Sequence, residues 1–226
     1  MLATVPTMIP ATMSPGPSSV ARAESTHPEE HGRTLRRARG ISIGPPMPPY
    51  PRWRYFPAFA APPDWVGPVI GTFAAVQAQI DSAVENRMES DDVLRVLGDG
   101  LTDLGFAVEQ GKKKAGKLPR PVFFGDEGTY LRTYEIDAFE ATRGIALEVE
   151  AGRATMGNAI YRDVIQASLM VDARFLVLAV PVEYRYMSKG KLMKEPSYSK
   201  TYSVVDAIYG SPRLSLPFEG LLPVGY

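Results

Sequence analysis

Two short segments of alternating polarity, residues 134–139 and 145–150, constrain the fold of this chain more than any other feature. In the first, Tyr134, Ile136 and Ala138 alternate with Glu135 and Asp137. In the second, Ile145, Leu147 and Val149 alternate with Glu148 and Glu150. A period of two belongs to a strand with one buried face. The link between them, Glu140-Ala141-Thr142-Arg143-Gly144, is short and ends in glycine, so the pair predicts a hairpin. If Asp137 faces Glu148 across it, Glu135 faces Glu150, and four carboxylates gather on one face. Facing side chains on paired strands sit roughly 5 Å apart, where like charges repel. Stability alone does not select that arrangement; a divalent cation with oxygen ligands compensates it.

Composition narrows the chemistry. The 226 residues include no cysteine, which removes disulfides and thiolate metal sites. The only histidines, His27 and His31, fall in a proline-rich N-terminal stretch. A folded domain without either residue has no Ser-His-Asp triad, Cys-His pair, zinc hydrolase site or histidine-metal nuclease site. Carboxylate, lysine, arginine and tyrosine chemistry remains, with a hard metal as its natural cofactor. Lys+Arg and Asp+Glu balance at 25 each, so net charge does not point to nucleic acid and local patches decide. No apolar run approaches the roughly 20 residues of a membrane span. The N-terminus lacks the basic-then-apolar pattern of a secretory signal, so the expected location is the cytoplasm, away from membranes.

Residues 1–60 read as a proline-rich, disordered tail and residues 61–226 as the folded domain. Within the tail, Arg33, Arg36, Arg37 and Arg39 form a basic cluster that reads as solvated, with phosphate contact as the alternative. The aromatic stretch 53–59 is too apolar to stay in water and is expected to pack on the domain. Val69, Phe73, Val76, Ile80 and Val84 then recur at helical spacing from Trp65 onward. Ser90 is the expected N-cap of a second helix with Asp91 and Asp92 in its first turn. Its stripe is Val93, Leu94, Leu97, Leu101 and Leu104, and Gly105 ends it. A strand at 106–109, a basic loop with Lys112, Lys113, Lys114 and Lys117, and a strand at 121–124 precede the acidic hairpin. Residues 158–171 predict a helix that buries Ile160, Val164, Ala167 and Val171. The continuous apolar run 175–180 predicts a central strand covered on both faces, joined by a right-handed parallel crossover. A further helix over 201–209 and an extended finish over 214–224 complete the chain.

The resulting order from residue 90 is helix, strand, strand, strand, helix, strand. Asp137 lies on one middle strand, and Glu148, any residue, and Glu150 follow on the next. Order and motif together resemble the PD-(D/E)XK nuclease superfamily, the fold of most type II restriction endonucleases, over residues 90–185. The resemblance implies an α/β fold with a restriction-endonuclease-like αβββαβ core, here preceded by an extra N-terminal helix. It implies a metal-dependent endonuclease that hydrolyses phosphodiester bonds, with DNA as the first candidate substrate, in restriction, defence or repair. Asp137 and Glu148 would be the ligands of Mg²⁺, with Mn²⁺ as the alternative ion. Glu150 occupies the position that the family usually gives to lysine, a substitution known within it. There it would orient water or act as general base. The resemblance also implies a homodimer, because two sites are needed to cut two strands. Glu135 would be an outer acid or a solvated one.

Basic and polar groups surround this motif. Asn158, Arg162 and Gln166 share one helix face, and Arg153 follows the second acidic strand. They would grip phosphate or stabilise the transition state; equally, Arg153 and Arg162 would be plain ion-pair partners of the acids. Farther on, Tyr184, Arg185 and Tyr186 precede Lys189, Lys191, Lys194, Tyr198, Lys200 and Tyr202. Lysine interleaved with tyrosine suits phosphate contact and base stacking, while the plainer reading is an exposed hairpin with ordinary surface lysines. Two functional alternatives remain open. One is a catalytically inactive nuclease-fold module that binds nucleic acid or a protein, which Glu150 and the neutral net charge favour. The other is a small α/β domain whose acids are solvated.

Overall fold

The computed structural model describes residues 49–84, 88–111, 113–152 and 157–226. The expected disordered tail up to residue 48, its arginine cluster, Lys112 and Arg153 lie outside the described residues. Strand β1 (Arg52–Trp53) is followed by helices α1 (Val66–Ala75), α2 (Gln77–Ile80) and α3 (Ser90–Asp103). Strands β2 (Phe106–Val108), β3 (Leu118–Phe124), β4 (Tyr130–Ile136), β5 (Ala138–Glu140) and β6 (Ile145–Val149) come next. Helix α4 (Ala159–Leu169), strands β7 (Phe175–Val180), β8 (Tyr184–Ser188) and β9 (Lys191–Glu195), helix α5 (Ser197–Gly210) and strand β10 (Gly220–Gly225) complete the order.

Six strands form one mixed sheet in the order β1-β10-β7-β6-β5-β2, and β3-β4 and β8-β9 are separate two-stranded hairpins. β2 with β5 and β5 with β6 are antiparallel, whereas β6 with β7 and β7 with β10 are parallel. The α4 crossover between β6 and β7 makes the parallel step possible. Strand alternation divides the core in two. Leu147, Val149, Val177, Ala179 and Leu222 face α1 and α3. Ala146, Leu176, Leu178, Val180 and Leu221 face α4 and α5. Helices therefore cover both sheet faces, which explains why β7 and β10 have no exposed residue.

Two turns depend on local chemistry. Glu140 is buried, and its carboxylate accepts the Thr142 and Arg143 N–H groups at 2.8 and 2.9 Å. Burial pushes its pKa up, but those donors outweigh burial and hold it below the ordinary carboxylate range. Gly144 then takes φ +71, where a Cβ would stand 2.5 Å from the Asp172 carbonyl oxygen. Only glycine fits that position.

Several boundaries differ from expectation. The domain begins before residue 61: β1 pairs with β10, and Phe56 exchanges backbone hydrogen bonds with Leu221 at 2.9 and 3.0 Å. The helix expected from Trp65 is broken at Val76 (φ −109, ψ 15), and Val84 is exposed. Glu89, rather than Ser90, is the N-cap of α3. Helix α4 ends before Val171, which is exposed and donates its N–H to the Pro121 carbonyl at 3.0 Å. The expected extended finish contains β10, an interior strand. Pro223 lies opposite Arg54, just past β1; it lacks a donor there, but its carbonyl still accepts the Arg54 N–H at 3.3 Å. Among the described residues, no helix is long and apolar enough to cross a membrane.

Phe56 is 1% exposed, stacks on Tyr209 at 5.5 Å and packs tilted against Tyr202 at 5.7 Å. Phe56→Ala should therefore cost about 3–5 kcal/mol, as buried Phe→Ala changes do. Urea unfolding will check this; a cost below about 1 kcal/mol would place the stretch outside the core.

Candidate active site

The acids meet where β4 passes into β5. Asp137 lies between these strands and joins them. Its carbonyl accepts the Glu109 N–H at 2.8 Å, and its Oδ2 accepts the Val149 N–H at 2.8 Å. That side-chain bond replaces the strand partner that Val149 loses when β4 turns away to pair with β3. The pairs Ala138↔Leu147 and Glu140↔Ile145 carry the expected register, and extending it one step sets Asp137 opposite Glu148. These two carboxyls are within hydrogen-bonding reach of each other. Beyond Asp137 the expectation fails: Glu135 pairs with Pro119 in β3, is exposed, and lies 4.0 Å from Lys117. It does not face Glu150. Ile136 also crosses to the α4 side, whereas Ala138 faces α3, so the alternation across residues 134–139 breaks at Asp137.

Glu150 extends past the end of β6 and anchors there by donating its N–H to the Ala179 carbonyl at 2.8 Å. Helix α4 adds an acid that sequence reasoning missed. Asp163 is 1% exposed, and its Oδ1 accepts Arg162 Nε at 2.9 Å. Its Oδ2 is buried without a hydrogen-bond partner, and the Glu150 carboxyl is close enough for the two to share a proton. A signal existed: Asp163 falls three residues after Ile160 and four before Ala167, on the stripe that packs against the sheet.

The polar groups divide differently from expectation. Arg162 Nη2 donates to Glu150 at 2.8 Å while its Nε holds Asp163, so it makes ion pairs with the acids. Gln166 is half-buried in a cavity beside Lys114, Lys117 and Glu135. Asn158 is exposed at the start of α4, with φ 58 and no side-chain capping bond. Lys117 was expected only as part of a basic loop; it is bonded to the buried Glu109 carboxylate. Tyr226 closes the floor, donating its hydroxyl to the Glu150 carbonyl at 3.2 Å.

Electrostatics sets these acids apart from Glu140. Burial pushes Asp137 up to about 6, although the Val149 N–H pulls it back. Burial and then the Asp137 charge push Glu148 well above its ordinary value. Burial and then Asp163 push Glu150 up to about 7 against the opposing pull of Arg162. Burial also raises Asp163. Neighbouring carboxyls that cannot all ionise either retain protons or take up a cation. Among the described residues, no three His, Cys, Asp or Glu side chains form a ready-made metal cage. Mg²⁺ does not need one; it commonly binds one or two carboxylates and completes its shell with water and phosphate oxygens. The all-oxygen donor set and the unpartnered Asp163 Oδ2 suit such a hard ion.

No family model matches the chain, and no curated protein matches it.

A carboxyl whose folded-state pKa is raised contributes stability that is fully present below its unfolded value and lost as pH rises through the folded one. In EDTA, the melting temperature should therefore fall as pH rises from about 4 to about 7, the window set by Asp137 and Glu150. Glu150→Gln should flatten the upper part of that decline. Differential scanning calorimetry across the range tests this, and a curve that rises instead contradicts it.

Proposed function

We propose that the chain is a metal-dependent nuclease that hydrolyses phosphodiester bonds, with DNA as its substrate and Mg²⁺ or Mn²⁺ as its ion. The observation that carries the reading is the pairing of Asp137 with Glu148, two half-buried carboxyls within hydrogen-bonding reach at one end of the sheet. The strand pairing supports it too: β2, β5, β6 and β7 are consecutive in the sheet with two antiparallel steps and one parallel step, preceded by α3 and bridged by α4. That arrangement is compatible with the restriction-endonuclease-like αβββαβ core.

Asp137 and Glu148 would hold the ion. When bound, it supplies a more acidic water and neutralises charge on the leaving oxygen. The remaining work falls to the chain. Glu150 accepts a proton from the attacking water, and its pKa near 7 suits a base at neutral pH. Arg162 fixes the Glu150 carboxylate by its 2.8 Å bond and keeps Asp163 in place. We assign Gln166 to the phosphate side of the site, beside Lys117. Two-strand cutting would need a second copy of the site, hence a homodimer, working on nucleic acid in the cytoplasm.

One observation favours a second reading, an inactive module that only binds. The position usually held by lysine is an acid already neutralised by Arg162. Cleavage assays on plasmid and single-stranded DNA with Mg²⁺, Mn²⁺ or EDTA separate the two. An outer-shell partner of a metal ligand is worth about 10–100-fold, so Asp137→Asn or Glu148→Gln should lower the rate by more than about 100-fold. Neither variant should melt lower in EDTA, because each removes a buried like charge. Wild-type cutting that persists at full rate in either variant rejects the nuclease reading.

A further inference from the structure

Two cavities lie near the acids, and one of them is lined by Glu150 itself. One, of about 420 Å³, lies beside Lys114, Lys117 and Gln166. The other, of about 460 Å³, lies between Glu150 and the base of the β8-β9 hairpin, with Ile80, Tyr184, Arg185 and Tyr226 in its lining. Its volume is that of a small-molecule site, the scale of one nucleotide rather than a duplex.

The hairpin beside this cavity is built to present rings and lysines. Tyr184 and Tyr186, two residues apart on β8, stack with centroids 5.5 Å apart and planes 18° apart. Both are half-buried, so part of each ring remains open. The register Tyr186↔Met193 and Ser188↔Lys191 puts Lys191 on the tyrosine face. Lys189 and Gly190 both take positive φ, 48 and 73, and make the tight turn at the tip. Arg185 and Lys194 brace the other side, holding Glu183 at 2.6 and 3.1 Å, and Arg185 also donates to the Ala83 carbonyl at 2.6 Å. Among the described residues, Lys189 and Lys191 have no ion pair. The hairpin thus keeps its structural cations occupied and leaves two free at its tip, beyond the stacked rings.

We propose that this hairpin and the adjoining cavity bind single-stranded nucleic acid, with one base entering beside Tyr184, neighbouring bases stacking outward from Tyr186, and Lys189 and Lys191 on the phosphates. Stacking on tyrosine requires an exposed base face, which paired bases inside a duplex lack. Glu150 lines this cavity and belongs to the acid cluster, so a strand held here lies beside those acids. The inference deepens the nuclease reading by naming its substrate class, and it rests on that reading only for what happens to the bound strand.

The test is fluorescence anisotropy with the full chain in EDTA. The probes are a labelled oligothymidylate of about 12 nucleotides, inside the ~4–16-nucleotide range of single-strand sites, its oligouridylate counterpart, and a duplex of equal length. The wild type should bind single strands at least about tenfold more tightly than duplex. Tyr184→Ala with Tyr186→Ala should raise Kd by about 10–100-fold, while the Tyr→Phe pair retains binding. Lys189→Gln with Lys191→Gln should reduce the slope of log K against log salt by about 1.4, at ~0.7 per phosphate contact. Melting curves establish that the variants are folded, and the two single-strand probes separate DNA from RNA. Equal or tighter duplex binding, or no effect of the alanine pair in a folded protein, overturns the proposal even if the protein cuts DNA. Tyrosine-dependent single-strand binding without cutting in any metal supports the proposal and rejects the nuclease reading instead.

Discussion

The site depends on Asp137 serving two strands at once. Its carbonyl holds Glu109 at the end of β2, and its carboxyl holds the Val149 N–H at the end of β6. The bend it makes allows one continuous run of chain to belong to two sheets. β5 stays in the central sheet, while β4 leaves to pair with β3. Without the side-chain acceptor, Val149 would have a backbone donor facing a departed strand, and burying such a donor unpaired costs about 1–3 kcal/mol. The residue at the centre of the acid cluster is thus also a structural joint, and its two backbone bonds fix the position of its carboxyl.

Around this joint the protein uses carboxyls in two opposed ways. Glu140 is buried but receives two backbone donors, so its charge is favoured. Asp163 is buried and Asp137, Glu148 and Glu150 are half-buried beside it, with one arginine among them, and their charges are disfavoured. The same residue type stabilises a turn in one place and opposes folding in the other, a few residues away. The distinction lies in the number of donors aimed at each group. Neighbouring carboxyls of this kind either keep protons or take up a positive partner.

Much of this was legible in the chain. Period-two alternation located the acidic hairpin and its register, because one residue of slip would have turned every apolar side chain outward. The uninterrupted run from Phe175 identified the doubly covered strand. What could not be read were the features that depend on partners distant in sequence. Nothing near Glu135 announces that its strand leaves the sheet; only the competing pairing with Pro119 decides it. Asp163 stands on the buried stripe of its helix, which was legible, but the Glu150 carboxyl that it meets there comes from a distant strand and was not. The interior position of β10 was hidden by Pro223, a residue that argues for an edge and here omits a single backbone donor opposite Arg54.

The position of β10 also bears on how the molecule is made. It pairs along its length with β7, from Gly220↔Phe175 to Gly225↔Val180, yet the ribosome delivers it only after the β8-β9 hairpin and α5. Until then, one edge of the most apolar strand has no partner, and β1, synthesised long before, has nothing to pair with. An exposed edge of that kind templates association with other chains. Along the chain, β7 is therefore complete well before the strand that covers its second edge, and β10 supplies the partner for β7 and β1 together.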